Sequence, residues 1–371
     1  MNTPERSEEY DESRRDTITD LSREGYQHLR EGNLDQAESR FHAILELDPK
    51  NNYALVGLGD TYRKRRKCRE AIRYYQQCLE LQPDNNYALF GLADCYKAMR
   101  HFNKAIEVWE RYLEYDSENV TVLTRVADAH RKARNFDRSF ELYKQVLEKE
   151  QGNAYALIGL GHLHYDFRMY PEALSYWMRM YEQSGDNPDI RVLTAIGNCY
   201  RKMKEFERGR AFFAEALERE PNNFYALFGI ADCYRGLNRP EQSLEYWNRI
   251  LEQNPENKVI LTRAGDAYRG MGEDDTASMY YKRALNIEFD AYAVLGLALI
   301  SKKREQYEEA LQSLLGLLDT DPENHRIYLE AADCALHLGR NAQAREILER
   351  FFSRGVKNKS VSDMYERITR H

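Results

Sequence analysis

Apolar and small residues recur along this chain in two stripes of helical spacing within every 34 residues. In the segment that begins at Asn52, the stripes comprise Leu55, Leu58, Gly59 and Tyr62, then Ala71, Tyr75, Cys78 and Leu79. Steps of three and four residues place each stripe on one face of a helix. The pattern therefore predicts two amphipathic helices per segment.

The segments are internal repeats. Asn-Tyr-Ala-Leu at 52–55 recurs at 86–89, and ten segments fit between residues 18 and 358. With Asn52 counted as place 1, place 8 is small, place 11 is usually aromatic or His, place 20 is mostly Ala and place 24 mostly aromatic. Proline closes segments at Pro49, Pro83, Pro221, Pro255 and Pro322.

This pattern resembles the tetratricopeptide repeat family, in which Leu-Gly, Tyr, Ala, an aromatic residue and a final Pro fall within 34 residues. Two closing prolines are replaced, by Ser117 and Gln151, and Leu usually stands where the family has Trp. The resemblance implies an all-α fold, a right-handed α-solenoid superhelix of about ten helix-turn-helix repeats. One repeat cannot bury its apolar faces alone, so neighbours must stack.

We divide the chain into a polar N-terminal tail at 1–17, expected to be frayed or disordered, ten repeats at 18–358, and a C-terminal capping helix at 359–371. Val361, Met364, Tyr365 and Ile368 form an apolar stripe, so this helix either caps the last repeat or docks a partner. Two four-repeat blocks, 52–189 and 190–324, look duplicated, because YALFGLADCY at 87–96 reappears as YALFGIADCY at 225–234. The seam, SGDNPD at 184–189, is a candidate hinge.

The resemblance also implies that the first helix of each repeat lines a concave groove and offers places 2, 5, 6, 9, 12 and 13 to a partner. Place 2 is often Tyr, place 9 is mostly Asp, and place 12 is mostly basic. The predicted partner-binding residues are Tyr53, Asp60, Arg63, Tyr87, Asp94, Lys97, Arg125, Asp128, Arg131, Tyr155, His162, Asn198, Arg201, Tyr225, Asp232, Arg235, Arg263, Asp266, Arg269 and Tyr292.

The sequence does not decide the role of two features of this face, the glycines and the charged rows. Every repeat with Tyr at place 2 has Gly at place 6, which leaves room either for packing against the Tyr or a neighbouring helix, or for a row of shallow aromatic pockets. The Asp and basic rows form either a structural ladder between repeats or a recognition surface for a partner of mixed charge. The duplication predicts two similar partner sites, one around Tyr87 and Arg125, the other around Tyr225 and Arg263.

Charge and composition narrow the class of partner. Against 54 Lys and Arg residues the chain has 61 Asp and Glu, a net charge of −7, which disfavours nucleic acid. No run of residues is long and apolar enough to enter a membrane, and no apolar signal core begins the sequence. Six cysteines without a CxxC pair indicate reduced thiols, so we expect a cytoplasmic protein.

The sequence contains few residues in patterns that support catalysis or metal binding. His and Cys occupy repeat positions that predict packing, and no phosphate-binding loop, metal-ligand spacing or cofactor motif is present. We predict no enzyme activity, no metal and no cofactor. The leading hypothesis is a non-enzymatic scaffold that binds partner proteins or peptide segments in the groove. The alternative is a structural solenoid that self-associates into a homo-oligomer.

Overall fold

A computed structural model describes residues 4–185 and 187–369, and the side chains from residue 13 onward within those ranges. Every regular element there is an α-helix, and consecutive helices pack as antiparallel pairs, which confirms the all-α repeat fold. The chain forms two compact units, residues 1–185 and 186–371. Their boundary falls within the predicted seam, but hinge motion there stays a prediction.

Unit 1 contains ten helices in its described residues: α1 Pro4–Glu31, α2 Leu34–Leu47, α3 Asn52–Lys64, α4 Cys68–Leu81, α5 Asn86–Ala98, α6 Phe102–Tyr115, α7 Val120–Lys132, α8 Phe136–Lys149, α9 Ala154–Asp166 and α10 Tyr170–Gln183. Unit 2 contains eleven: α11 Ile190–Lys202, α12 Phe206–Arg219, α13 Phe224–Gly236, α14 Pro240–Gln253, α15 Lys258–Gly270, α16 Asp274–Ile287, α17 Ala291–Lys303, α18 Tyr307–Leu317, α19 His325–His337, α20 Asn341–Phe352 and α21 Lys359–Thr369.

The N-terminal segment differs from the prediction of a disordered tail. Helix α1 begins at Pro4, so residues 4–17 form its first turns, and residues 1–3 lie outside the described part. Two contacts hold the helix: the Arg14 guanidinium donates to the Leu47 carbonyl, and Ile18 and Leu21 pack against the core around Phe41. A charged segment can thus be helical when it extends a helix whose later turns are anchored.

At the opposite end of the chain, α21 buries Val361 and Ile368 in the last apolar cluster, while Met364 and Tyr365 pack at its edge. The stripe thus covers the end of the core of unit 2.

Local signals set the bounds of the first helices. In α3, α5, α7, α9, α13 and α15 the preceding residue is Asn, and its side chain accepts a hydrogen bond from the backbone N–H three residues later. Such a cap contributes about 1 kcal/mol.

The turn inside each repeat ends the first helix with a left-handed residue. In the repeat of α3, Arg66 has φ 60°, and the Lys67 N–H donates to the Tyr62 carbonyl at 2.9 Å. The same turn recurs with Arg100, Arg134, Arg168 and Lys204 in the left-handed position, where glycine would be less strained.

Candidate functional site

The five tyrosines at place 2 lie in the first turn of their helices and project into solvent. Their exposed fractions are 70% for Tyr53, 79% for Tyr87, 77% for Tyr155, 71% for Tyr225 and 64% for Tyr292. Among the described residues they are the most exposed of the large apolar side chains. Three of them, Tyr53, Tyr87 and Tyr155, belong to unit 1 and are called the tyrosine row here. Burying a tyrosine ring is favourable, so these exposed rings can contribute to binding a ligand.

The space that glycine leaves at place 6 is occupied by a buried ring, which favours packing against a neighbouring helix over a row of aromatic pockets. Gly159 is also part of the cavity wall described below. A Cβ at Gly91 would lie 2.6 Å from Tyr75 Cε1, and closer still to two other atoms of that side chain. Tyr75 stands at place 24 of the preceding repeat and is fully buried. Gly57, Gly159, Gly229 and Gly296 meet the place-24 ring of the preceding repeat in the same way.

A sequence signal for this packing was present but is only recognisable across repeats. Tyr or Phe at place 24 is followed by Gly at place 6 of the next repeat in all five cases. Where the ring is a tryptophan, the next repeat has no glycine at place 6: Trp109 and Trp247 are followed by Arg125 and Arg263, and Trp177 is followed by Ala195. Glycine at place 6 therefore accompanies a preceding Tyr or Phe ring.

In unit 1 the predicted charged residues form a continuous network. Arg63 contacts Asp60 at 2.8 Å and Asp94 at 3.6 Å, and Arg125 Nη1 donates to Asp94 Oδ1 at 2.6 Å. The Arg125 guanidinium also lies 4.6 Å from the centroid of the Phe90 ring. Neighbouring repeats are thus bridged through shared carboxylates.

The network continues at Asp128, whose oxygens lie 2.7 Å from both Lys97 Nζ and Arg131 Nη2. Burial raises the pKa of Asp128, but the two cations outweigh it and the pKa is lowered. Arg131 reaches Asp166 in the next repeat as well. Because cations and anions alternate, the face carries little excess charge here.

In unit 2 the carboxylate of Asp232 holds Arg201 Nη1 at 2.5 Å and Arg235 Nη2 at 2.7 Å. Burial raises the pKa of Asp232, but the two arginines lower it overall. Arg201 also donates to Asn198 Oδ1 at 3.0 Å.

The last predicted pair, Asp266 and Arg269, lies 3.8 Å apart. Tyr281, the buried ring at place 24, joins them: its hydroxyl donates to Asp266 at 2.8 Å and accepts from Arg269 Nε at 3.2 Å. Tyr75 makes the same contacts with Asp60 and Arg63. In these two repeats the charged residues are therefore hydrogen-bonded to a buried tyrosine of the core.

The predicted second site does not reproduce the first. Arg125 pairs with Asp94, but its counterpart Arg263 makes no ion pair among the described residues, because Asp232 is taken by Arg201 and Arg235. The duplication therefore preserves the helices and not the contacts of this arginine.

Unit 1 contains a cavity of about 660 Å³ on the first-helix face, mainly between α7 and α9. Six predicted residues line it: Lys97, Arg125, Asp128, Arg131, Tyr155 and His162. The His162 ring packs edge-on against Trp177 at 4.9 Å between centroids. Thr121 and Thr124, at places 2 and 5, also line the cavity, although the predicted residues did not include them. Asn153 lines it as well and is the repeated Asn that caps α9.

The arrangement offers binding groups and little reactive chemistry. Within the described residues, no group of three His, Cys, Asp or Glu side chains is placed to hold a metal. Burial raises the pKa of the Cys199 and Cys233 thiols to about 12, which makes both poor nucleophiles. No helix in the described part is long and apolar enough to cross a membrane.

Models of the tetratricopeptide repeat match residues 63–124, 200–259 and 303–364, residues 23–66 and 124–188, and residues 260–290. The chain belongs to the tetratricopeptide repeat family. Its repeats place the first helices side by side, which is why residues 34 positions apart in the sequence share one face. No match was found among curated proteins.

Several solved structures match this chain. The C-terminal part of a tetratricopeptide repeat protein from Cytophaga hutchinsonii is 17% identical, with a TM-score of 0.54, over 65% of this chain and 99% of that one. PilF of Pseudomonas aeruginosa is 15% identical, with a TM-score of 0.48, over 58% and 96%. A repeat protein from Parabacteroides merdae is 17% identical, with a TM-score of 0.42, over 77% and 99%.

Proposed function

We propose that this protein is a non-enzymatic scaffold that holds a segment of a partner polypeptide against the first-helix face of its repeats. Tetratricopeptide repeats generally mediate protein–protein interaction, and scaffolds of this family are generally not enzymes. The observation that carries the proposal is the row of exposed tyrosines. Aromatic residues of this kind supply much of the binding energy in protein interfaces.

The cavity of unit 1 adds polar recognition beside one of these rings. Tyr155 lines it together with Thr124, whose hydroxyl donates to the Thr121 carbonyl and can still accept a hydrogen bond from a peptide N–H. The charges of Lys97 and Asp128 are already paired with each other. Specificity would therefore come from the aromatic and neutral polar groups, with the ion pairs holding the helices in register.

The test is capture from a native lysate by three forms of the full chain. One form carries Tyr53→Ala, Tyr87→Ala and Tyr155→Ala, and the control carries Tyr115→Ala, an exposed tyrosine at the end of α6. We expect the wild type and the control to capture the same proteins, and the triple variant to lose them at unchanged thermal stability. Equal capture by the triple variant would refute a role for the tyrosine row.

Self-association is the second candidate, favoured by apolar side chains around the turn between α16 and α17. Ile287 and Phe289 are exposed there, as is Val259 at the start of α15. Light scattering across a range of concentrations decides it: a mass that stays monomeric refutes self-association, and a mass that Phe289→Lys reduces supports it.

We also propose that the protein is cytoplasmic, as the sequence predicts. It is supported by six free cysteines, which suit a reducing compartment.

A further inference from the structure

One turn of unit 1 carries a concentration of positive charge that the first-helix face does not use. Residues 63–69 read Arg-Lys-Arg-Arg-Lys-Cys-Arg and join α3 to α4. Arg63 is paired with Asp60 and Asp94, and Arg65 with Asp35 and Glu38.

Arg66, Lys67 and Arg69 are exposed and make no ion pair within the part of the chain that the structure describes. Arg66 holds a left-handed conformation with φ 60°, as does Arg100 with φ 61° in the adjacent turn. An arginine in this conformation is more strained than glycine by about 1 kcal/mol. Both turns therefore present a long cation where glycine would be less strained, as the turns at Arg134 and Arg168 also do.

These cations line a cavity of about 660 Å³. Arg63, Arg66, Lys67 and Arg69 contribute to its wall, and Ala98 and Met99 at the end of α5 supply an apolar side. A volume of this size lies within the range of ligand pockets and far exceeds that of a single small anion. The first turn of α4 also begins here, and its N-terminal dipole adds to the positive potential.

The composition of the wall indicates the kind of anion. Two carboxylates, Glu70 and Asp94, line the cavity among the cations, so a ligand there needs hydrogen-bond donors as well as negative charge, and a peptide supplies backbone N–H donors beside its acidic side chains. A long phosphate backbone would meet the net charge of −7 carried by the whole chain. A short run of Asp or Glu side chains satisfies both conditions.

We propose that this basic turn cavity, formed by Arg63, residues 66–70, Asp94, Ala98 and Met99, binds an acidic peptide segment of a partner protein. This site is distinct from the tyrosine row, because its unpaired cations lie in the turn and at the start of α4 and not on the exposed face of the first helices. It would recognise carboxylates through three exposed cations.

The probe is a fluorescent decaglutamate peptide, and binding is measured by anisotropy with the full chain at low and moderate salt. The test variant carries Arg66→Glu, Lys67→Glu and Arg69→Glu. The control carries Lys202→Glu and Lys204→Glu, which are exposed residues of unit 2.

A third control change, Lys357→Glu in the exposed loop before α21, equalises the change in net charge between the two variants. We expect the wild type and the control to bind alike, with affinity falling as salt rises. The test variant should bind about tenfold more weakly or worse, with an unchanged melting temperature.

Equal binding by the test variant would overturn the proposal. So would equal binding of a decaglutamine peptide, or tighter binding of a ten-nucleotide oligothymidylate, which would assign the cavity to another class of ligand. The triple tyrosine variant should bind decaglutamate normally. Failure of this proposal would therefore leave the tyrosine-dependent capture of a partner untouched, and the reverse also holds.

Discussion

Replacing Gly91 with alanine should destabilise unit 1, although alanine is the better helix former. The new Cβ would lie 2.6 Å from Tyr75 Cε1, well inside normal contact distance, so the ring would have to move. Tyr75 is fully buried, and its hydroxyl is held by Asp60 at 2.7 Å and Arg63 at 3.2 Å. The ring cannot shift without losing these bonds.

The magnitude follows from three opposing contributions. Alanine gains about 0.5 to 1 kcal/mol over glycine in a helix interior. Overpacking a core costs about 1 to 3 kcal/mol, and loss of the hydroxyl bonds of Tyr75 adds about 1 kcal/mol. The free energy of unfolding should therefore fall by about 1 to 3 kcal/mol.

The assay is urea unfolding of the full chain, followed by circular dichroism, with hydrogen exchange to locate the loss in α4 and α5. Gly316→Ala in α18 is the matched control, since its added Cβ would meet nothing within 4 Å. That variant should lose no stability.

A double-mutant cycle with Tyr75→Leu separates the ring from the helix. The cost of Gly91→Ala should largely vanish once the ring is gone. Unchanged stability of Gly91→Ala in the wild-type background would refute the packing argument and reopen a ligand role for the glycines.

Three further predictions concern the turns, the ion pairs and the thiols. Lys204→Gly should stabilise the protein by about 1 kcal/mol, because Lys204 has φ 64°, whereas Lys202→Gly at the end of α11 should not; thermal melts compare the two. Asp232→Asn should lose stability at pH 7, measured by urea midpoints. Since the folded pKa of Asp232 is lowered, its contribution is complete above the unfolded value of about 3.9 and is lost as the pH falls from there through the lower folded pKa, so variant and wild type should converge in acid. Under native conditions a maleimide should modify Cys68 first, because the other five cysteines are buried, and mass spectrometry should show further adducts only after denaturation.

Reversing the charge of the paired aspartates is a poor test of partner binding, given these contacts. Asp94 and Asp232 each hold two arginines, so a lysine in either place would set like charges against each other. Loss of stability and loss of binding would then be indistinguishable. The exposed tyrosines avoid this ambiguity because little of their surface is buried.

The helices and their pairing were determined by the sequence alone, because the apolar stripes, small residues and closing prolines recur every 34 residues. Local physics is enough for such elements, since each repeat carries its own caps, turn and ring. The tyrosine row is also visible in the sequence, because exposure follows from a place that lies off the apolar stripe.

Only the tertiary structure decided which side chain fills the space at each glycine and which ion pairs form between repeats. Gly91 leaves space for Tyr75 of the previous repeat. Arg125 forms an ion pair with Asp94, whereas Arg263 forms none with Asp232, which pairs with Arg201. These outcomes depend on ring sizes and distances between repeats, which a pattern within one repeat does not contain. The same holds for the basic turn, where seven consecutive letters cannot show which cations are already neutralised by carboxylates of an adjacent helix.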